Sequence, residues 1–220
     1  MDNLIKICGL STPETLEAAL GAGADLVGFV RYSRSPRHVE LDQGRALSRQ
    51  ARGRAQRVVL LVDAQDEAIA EAVEALDPDL LQLHGHESPD RVREIRARFG
   101  RPVMKAVGIA EEADLAALAP YGEAADRLLL DAKPPRRADA LPGGNGLSFD
   151  WRVLAALDPS VSYMLSGGLT PDNVAEAIRL TGAGAVDVST GVESGPGTKD
   201  PARIEAFVRA ARAAYGAGRR

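Results

Sequence analysis

Cysteine is nearly missing from this sequence: Cys8 is the only one in 220 residues. A single thiol excludes an intramolecular disulfide and a cysteine-rich metal centre. Long apolar runs are missing too. None approaches the ~18 residues that a membrane helix needs, so no membrane partner is expected. Strand-like sequence begins within four residues of the first methionine, which leaves no room for a signal peptide and predicts a cytoplasmic location. Positive charge is not in excess. The 27 Lys and Arg are interspersed among 31 Asp and Glu, for a formal net charge of −4, which argues against nucleic acid as a partner. No polar tract is long enough to suggest disorder, and an apolar content of 45% is ordinary for a chain that buries a core. No shift in composition marks a linker, so residues 1–220 read as a single domain.

What is present is an alternation. Strand-like runs at Leu4–Cys8, Leu26–Val30, Arg57–Val62, Leu80–His84, Pro102–Val107, Arg127–Asp131, Ser162–Ser166 and Val186–Ser189 are each followed by helix-like sequence. The helical spacing covers Pro13–Leu20, about 42–52, Asp66–Leu76, Ser88–Phe99, Ala113–Leu118, Phe149–Leu157, Pro171–Leu180 and Pro201–Tyr215. Thr12 is suited to cap the first helix, with Pro13 at its first position. Gly21-Ala22-Gly23-Ala24 and Gly182-Ala183-Gly184-Ala185 stand before the second and eighth strands, where glycine serves a left-handed helix end. Eight β-then-α units in this length match an α/β fold of the (β/α)8 TIM-barrel type. An open doubly wound sheet is the alternative that periodicity leaves open. A dinucleotide-binding sheet would show GxGxxG after its first strand, and Cys8-Gly9-Leu10-Ser11 does not.

The first strand has a mixed face. With a period of two, Leu4, Lys6 and Cys8 share one side while Ile5 and Ile7 share the other. The Ile side suits packing against helices; the Lys/Cys side is too polar for an ordinary core. The other strands end in a similar way. Gln82 and His84, then Asp131, then Ser166-Gly167-Gly168, then Asp187, Ser189, Thr190 and Gly191 collect polar groups at the strand C-termini, where barrels of this class carry their active sites. Two glycine turns follow the last two strands, the usual phosphate position of the fold. Gln82 and Lys105 read as structural.

Together these segments resemble the phosphoribosylanthranilate isomerase family of tryptophan biosynthesis. The matching stretches are KICGL at 6–10, GFV at 28–30 with SPR at 35–37, LQLHGHE at 81–87, and LLLDAKP at 128–134. GGNG at 143–146 with FDW at 149–151, LSGGLTPDNV at 165–174, and VDVSTGVESGPGTKD at 186–200 continue the series in the family's order over nearly the whole chain. The resemblance implies an isomerase that rearranges N-(5'-phosphoribosyl)anthranilate into 1-(2-carboxyphenylamino)-1-deoxyribulose 5-phosphate without cofactor or metal. It implies Cys8 as the general base and Asp131 as the general acid, with Arg37 on the anthranilate carboxylate. It implies that Asp187 contacts the ribose, that His84 lines the site, that Lys6 is among the substrate-binding residues, and that Gly146, Gly167, Gly168, Thr190 and Gly191 hold the phosphate. The partner is a small phosphoribosyl substrate, and the chain acts as a monomer or a homodimer. Asn145 stands where Thr is usual in the family, Thr190 where Ser is commoner, Arg31 at an often apolar position and His86 at an often acidic one.

The proposed roles make physical demands. A cysteine base has to ionise, and a free thiol does so only near ~8.5. Lys6, two residues back on the same face, is placed to lower that value. Asp131 has to arrive protonated, against the pull of the same lysine. Two other readings compete. A Schiff-base aldolase on a similar phosphate-binding barrel would need a lysine nucleophile, with Lys6 or Lys105 as candidates. A phosphosugar-binding module would bind the ligand without turning it over.

Overall fold

The structure, a computed structural model, describes residues 3–134, 141–158 and 160–217. Pro135, expected in the long loop after the sixth strand, lies outside them. Eight parallel strands close into one barrel in sequence order: β1 Leu4–Cys8, β2 Leu26–Val30, β3 Gln56–Leu61, β4 Leu80–Leu83, β5 Val103–Ile109, β6 Arg127–Ala132, β7 Tyr163–Leu165 and β8 Ala185–Val188. Closure is made by β8 against β1, with Lys6 opposite Asp187 and Ile7 opposite Val188. An open sheet is thereby excluded.

The two faces of β1 part as their chemistry dictates. Ile5 and Ile7 are fully buried in the cluster shared with the outer helices. Leu4 packs inside the barrel against Leu26, Val58, Leu80, Met104, Leu129 and Met164, which plugs its lower half. Cys8 belongs to a separate small group with Val30 and Leu60 nearer the C-terminal mouth.

The outer ring holds α1 Pro13–Ala22, α2 Leu41–Ala51, α3 Asp66–Leu76, α4 Pro89–Phe99, α5 Leu118–Ala124, α6 Val174–Thr181 and α7 Pro201–Ala217. Thr12 caps α1 by accepting from the N–H of Thr15, and Gly23 and Gly182 end α1 and α6 in the left-handed conformation. Three segments differ from the periodicity. The run expected as a helix at Ala113–Leu118 is a 3-10 helix at Glu112–Ala117 that leads into α5. Pro120 then falls in the first turn of α5, where its missing N–H is not needed. Phe149–Leu157 contributes only a 3-10 helix at Trp151–Ala156. After β8 the chain does not pass straight into the last helix. It forms a 3-10 turn at Thr190–Val192 and a small antiparallel hairpin, β9 Glu193–Gly195 and β10 Thr198–Lys199. That hairpin supplies two side chains to the site. Among the described residues no helix is long and apolar enough to cross a membrane.

Candidate active site

A cavity opens at the C-terminal mouth of the barrel. Cys8, Arg37, His84, Asp131, Asp187, Gly146, Gly167, Gly168, Thr190 and Gly191 all line it, together with Gln82, Ser166 and Ser189. Every expected site residue except Lys6 is therefore at one place. Lys6 lies out of the cavity's reach. It is fully buried, and its ammonium sits 2.7 Å from Asp187 Oδ1. The strand period explains the placement: Lys6 is one pleat below Cys8, so it acts on a ligand only through Asp187 and Cys8.

The electrostatics around Cys8 follow from this stacking. Burial pushes the thiol up, the Lys6 ammonium pulls it down, and the Asp187 carboxylate pushes it up again; the net direction is upward. Lys6 is thus the cation that supports a thiolate, but burial outweighs it. For Lys6 itself burial favours loss of the proton, yet Asp187 and Cys8 overcome it and hold the ammonium charged. Asp187 is braced further by the Ser166 hydroxyl, which donates to Oδ2 at 3.2 Å. Because Cys8 is the only cysteine, its ionisation can be read chemically. Alkylation by iodoacetamide, followed by mass spectrometry across pH 6–10.5, should keep accelerating above ~8.5, where a free thiol is already half ionised. A rate that levels off below that value would mean that Lys6 wins.

Arg37 is held edge-on. Its Nε and Nη2 form a forked pair with Glu193 at 2.7 and 2.9 Å, and Nη2 also reaches Thr190 Oγ1 at 3.2 Å. Nη1 has no such bond to a described residue and lies against Gly144 in the loop after β6. One edge of the guanidinium is fixed while the other is left for an anion. Glu193 in turn accepts from Lys199 at 2.7 Å, and Lys199 also donates to Ser189 O and Oγ. Burial pulls Lys199 down to about 8 although Glu193 opposes it. Glu193 resists its own burial and stays below the usual carboxylate range, because Arg37 and Lys199 bind its charged form.

Glu193 and Lys199 were not singled out from sequence. They lie inside the matching stretch at 186–200, and only the hairpin return brings them beneath Arg37. Thr190 is engaged within the protein. Its hydroxyl donates to Gly144 O at 3.0 Å and accepts from Arg37, which ties the loop after β6 to the turn after β8. Gly167 and Gly168 have φ of +87° and +67°, a turn that side-chain-bearing residues rarely adopt, and a Cβ on them would press against the Ala132 backbone and Ser148.

Asp131 ends β6 on the cavity wall. Its Oδ1 accepts from the N–H of Ala132 at 2.9 Å, and its Oδ2 is 3.1 Å from His84 Nε2. The loop at 141–147 covers this pair. A Cβ built on Gly143 would press against His84 Nε2 and lie 3.0 Å from Asp131 Oδ2. Gly143→Ala should therefore lift the loop or part the pair, lowering kcat by about tenfold to a hundredfold with little change in Tm. Unchanged kinetics would show that the loop does not need this approach. Asn145, at a departure from the family's pattern, donates to Leu141 O within the same loop. Arg31 donates to Val39 O, and exposed His86 pairs with Asp63.

The lysines that an aldolase would require are engaged. Lys6 is paired with Asp187, and Lys105, 2% exposed, is paired with Glu87 at 2.8 Å. A buried lysine held against a carboxylate is a poor amine nucleophile.

Comparison with known proteins agrees with this architecture. The family model described as N-(5'phosphoribosyl)anthranilate (PRA) isomerase matches residues 5–210. The chain is 59% identical over 213 residues to N-(5'-phosphoribosyl)anthranilate isomerase of Rhodopseudomonas palustris strain BisB5, covering 97% of each. It is 59% identical over 215 residues to the Azorhizobium caulinodans protein of the same name, covering 98% of this chain and 94% of that one. Among solved structures, the phosphoribosyl anthranilate isomerase of Thermotoga maritima superimposes with a TM-score of 0.85 at 36% identity, over 97% of this chain and 100% of that one. A further isomerase of that name, solved in complex with reduced 1-(o-carboxyphenylamino)-1-deoxyribulose 5-phosphate, superimposes at 0.83 with 33% identity, over 97% and 100% of the two chains.

Proposed function

Because the chain belongs to the N-(5'-phosphoribosyl)anthranilate isomerase family and catalyses that Amadori rearrangement in tryptophan biosynthesis, we propose that Cys8 and Asp131 carry its proton transfers. The observation behind the assignment is that a thiol on β1 and a carboxyl on β6 line one cavity, flanked by the glycine turns after β7 and β8. Asp131 gives its proton to the ribose ring oxygen. The C1'–O bond breaks, and the anthranilate nitrogen lone pair forms the iminium. The Cys8 thiolate takes the proton from C2', leaving an enolamine. The proton held by Cys8 passes to C1', and the 2'-hydroxyl proton returns to Asp131, which gives the ketone and restores both groups. Only protons move, which suits general acid–base chemistry.

The remaining residues hold the substrate. The free edge of Arg37 receives the anthranilate carboxylate. The backbone turns at Gly167, Gly168, Thr190 and Gly191, with Gly146 across the mouth, receive the phosphate. Asp187 and His84 border the ribose. All of these side chains come from one chain, so the site is compatible with a monomer or a homodimer. A cytoplasmic location is part of the same proposal, supported by a catalytic role for a free thiol.

The test is consumption of freshly generated phosphoribosylanthranilate followed by its fluorescence. Arg37→Ala should raise KM by about tenfold to a hundredfold, the worth of one charged hydrogen bond, with a smaller change in kcat. Lys199 remains beside Glu193 in that variant, so the buried carboxylate keeps a cation. An unchanged KM would remove Arg37 from substrate binding.

A further inference from the structure

Beside the Asp131 carboxyl stand two side chains that the reaction above does not use for proton transfer. Gln82 lies in β4, fully buried, two residues before His84 on the same strand face. Its Nε2 is 2.9 Å from His84 Nδ1, and His84 Nε2 is 3.1 Å from Asp131 Oδ2. The three groups form a line that ends on the proposed acid. At the other end, Gln82 Oε1 is buried with no hydrogen-bond partner among the described residues.

The orphan oxygen makes Gln82 a poor structural filler. A methionine would occupy similar space without stranding an acceptor away from water. The nitrogen end is what distinguishes glutamine here. An amide nitrogen only donates, and a neutral imidazole has one N–H and one lone pair. With Gln82 donating to Nδ1, the ring proton has to be on Nε2. That N–H then points to Asp131 Oδ2. Oδ1 already accepts from the Ala132 N–H, so each carboxyl oxygen has one donor.

Resting on the assignment of Asp131 as the acid, we propose that Gln82 and His84 are positioning residues: they hold the imidazole in its Nε2–H tautomer to stabilise the Asp131 carboxylate formed as the proton leaves. The balance is simple. The Asp131 O–H bond breaks and an O–H bond to the ribose ring oxygen forms, while His84 neither gains nor loses a proton. A neutral carboxyl oxygen accepts the Nε2–H weakly. A carboxylate accepts it as a charge-assisted bond, which is stronger. The interaction therefore grows as the acid gives up its proton, the condition for it to lower the barrier rather than merely bind the ground state. When the 2'-hydroxyl proton later returns to Asp131, the bond relaxes and the cycle closes.

The chain has three histidines, so the tautomer can be observed directly. Protein labelled with 15N-histidine, with His38→Gln and His86→Gln variants for assignment, should show His84 as neutral Nε2–H in long-range 1H–15N spectra. In Gln82→Glu the new carboxylate draws a proton onto Nδ1. The neutral Nε2–H signature should then vanish and kcat should fall by about tenfold to a hundredfold, with KM within about twofold. Gln82→Met, which keeps the volume, should give mixed tautomers and a smaller loss, and covers the case in which the charged variant fails to fold. An Nδ1–H tautomer in the unmodified enzyme, or unchanged kcat in the variants, would overturn the proposal. Asp131→Asn measured alongside separates the two levels. If it is inactive while both Gln82 variants are fully active, only the relay is wrong. If it keeps full activity, the acid assignment falls with the relay.

Discussion

Asp131→Asn should lower kcat by about a hundredfold to ten-thousandfold, the usual worth of a positioned general acid, while leaving the affinity for a reduced product analogue nearly intact. The amide keeps the shape of the carboxyl but has no acidic proton to give to the ring oxygen. Its oxygen can still accept from the Ala132 N–H, while its NH2 faces the His84 ring N–H and that single contact is lost. The cavity wall therefore survives, and the loss is in kcat rather than KM. Ring opening would then wait on solvent to supply the proton. The fluorescence assay gives kcat and KM together. A variant within tenfold of the unmodified kcat would show that another group opens the ring.

Cys8→Ser should be at least as severe. The serine hydroxyl fits the space, but it is a far weaker acid than a thiol, and Lys6 and Lys199 cannot make it an alkoxide near neutral pH. The anionic base is lost while Lys6 remains paired with Asp187. Binding of the reduced product analogue should persist, since the phosphate turns and Arg37 are untouched. The two variants differ in where they stop the reaction. Asp131→Asn stalls before the ring opens; Cys8→Ser stalls at the iminium, ahead of C2' proton removal. Retained turnover in Cys8→Ser with lost turnover in Asp131→Asn would place the base elsewhere on the cavity wall.

Much of this was legible in the residues. The split face of Leu4–Cys8 became the barrel's inner and outer sides, with Ile5 and Ile7 against the helices and Lys6 and Cys8 turned inward. Strand-end position, combined with the family's motifs, brought Cys8, Arg37, His84, Asp131 and Asp187 to one cavity. Two matters lay beyond local pattern. The Arg37–Glu193 pair joins positions 156 residues apart in sequence, and nothing near either residue announces the other. Their meeting depends on closure of β8 against β1 and on the hairpin after it. The balance at Cys8 depended on depth. A lysine two residues away on the same face is visible in the sequence, but not that burial exceeds its pull. The ends of the helices were legible where a cap fixed them, at Thr12, Gly23 and Gly182, and shifted where short segments formed 3-10 turns instead. Gln82 shows a different limit: a polar residue on an inward strand face reads as structural until its orphan oxygen and its contact with His84 are seen.

The most direct test of Cys8 as the base is a single-turnover measurement with Cys8→Ser in excess over freshly generated substrate, followed by stopped-flow fluorescence. Product release does not enter such a trace, so it reports conversion of bound substrate alone. The account predicts rapid binding and then conversion slower than in the unmodified enzyme by about a hundredfold to ten-thousandfold. Conversion within tenfold of the unmodified rate would contradict it.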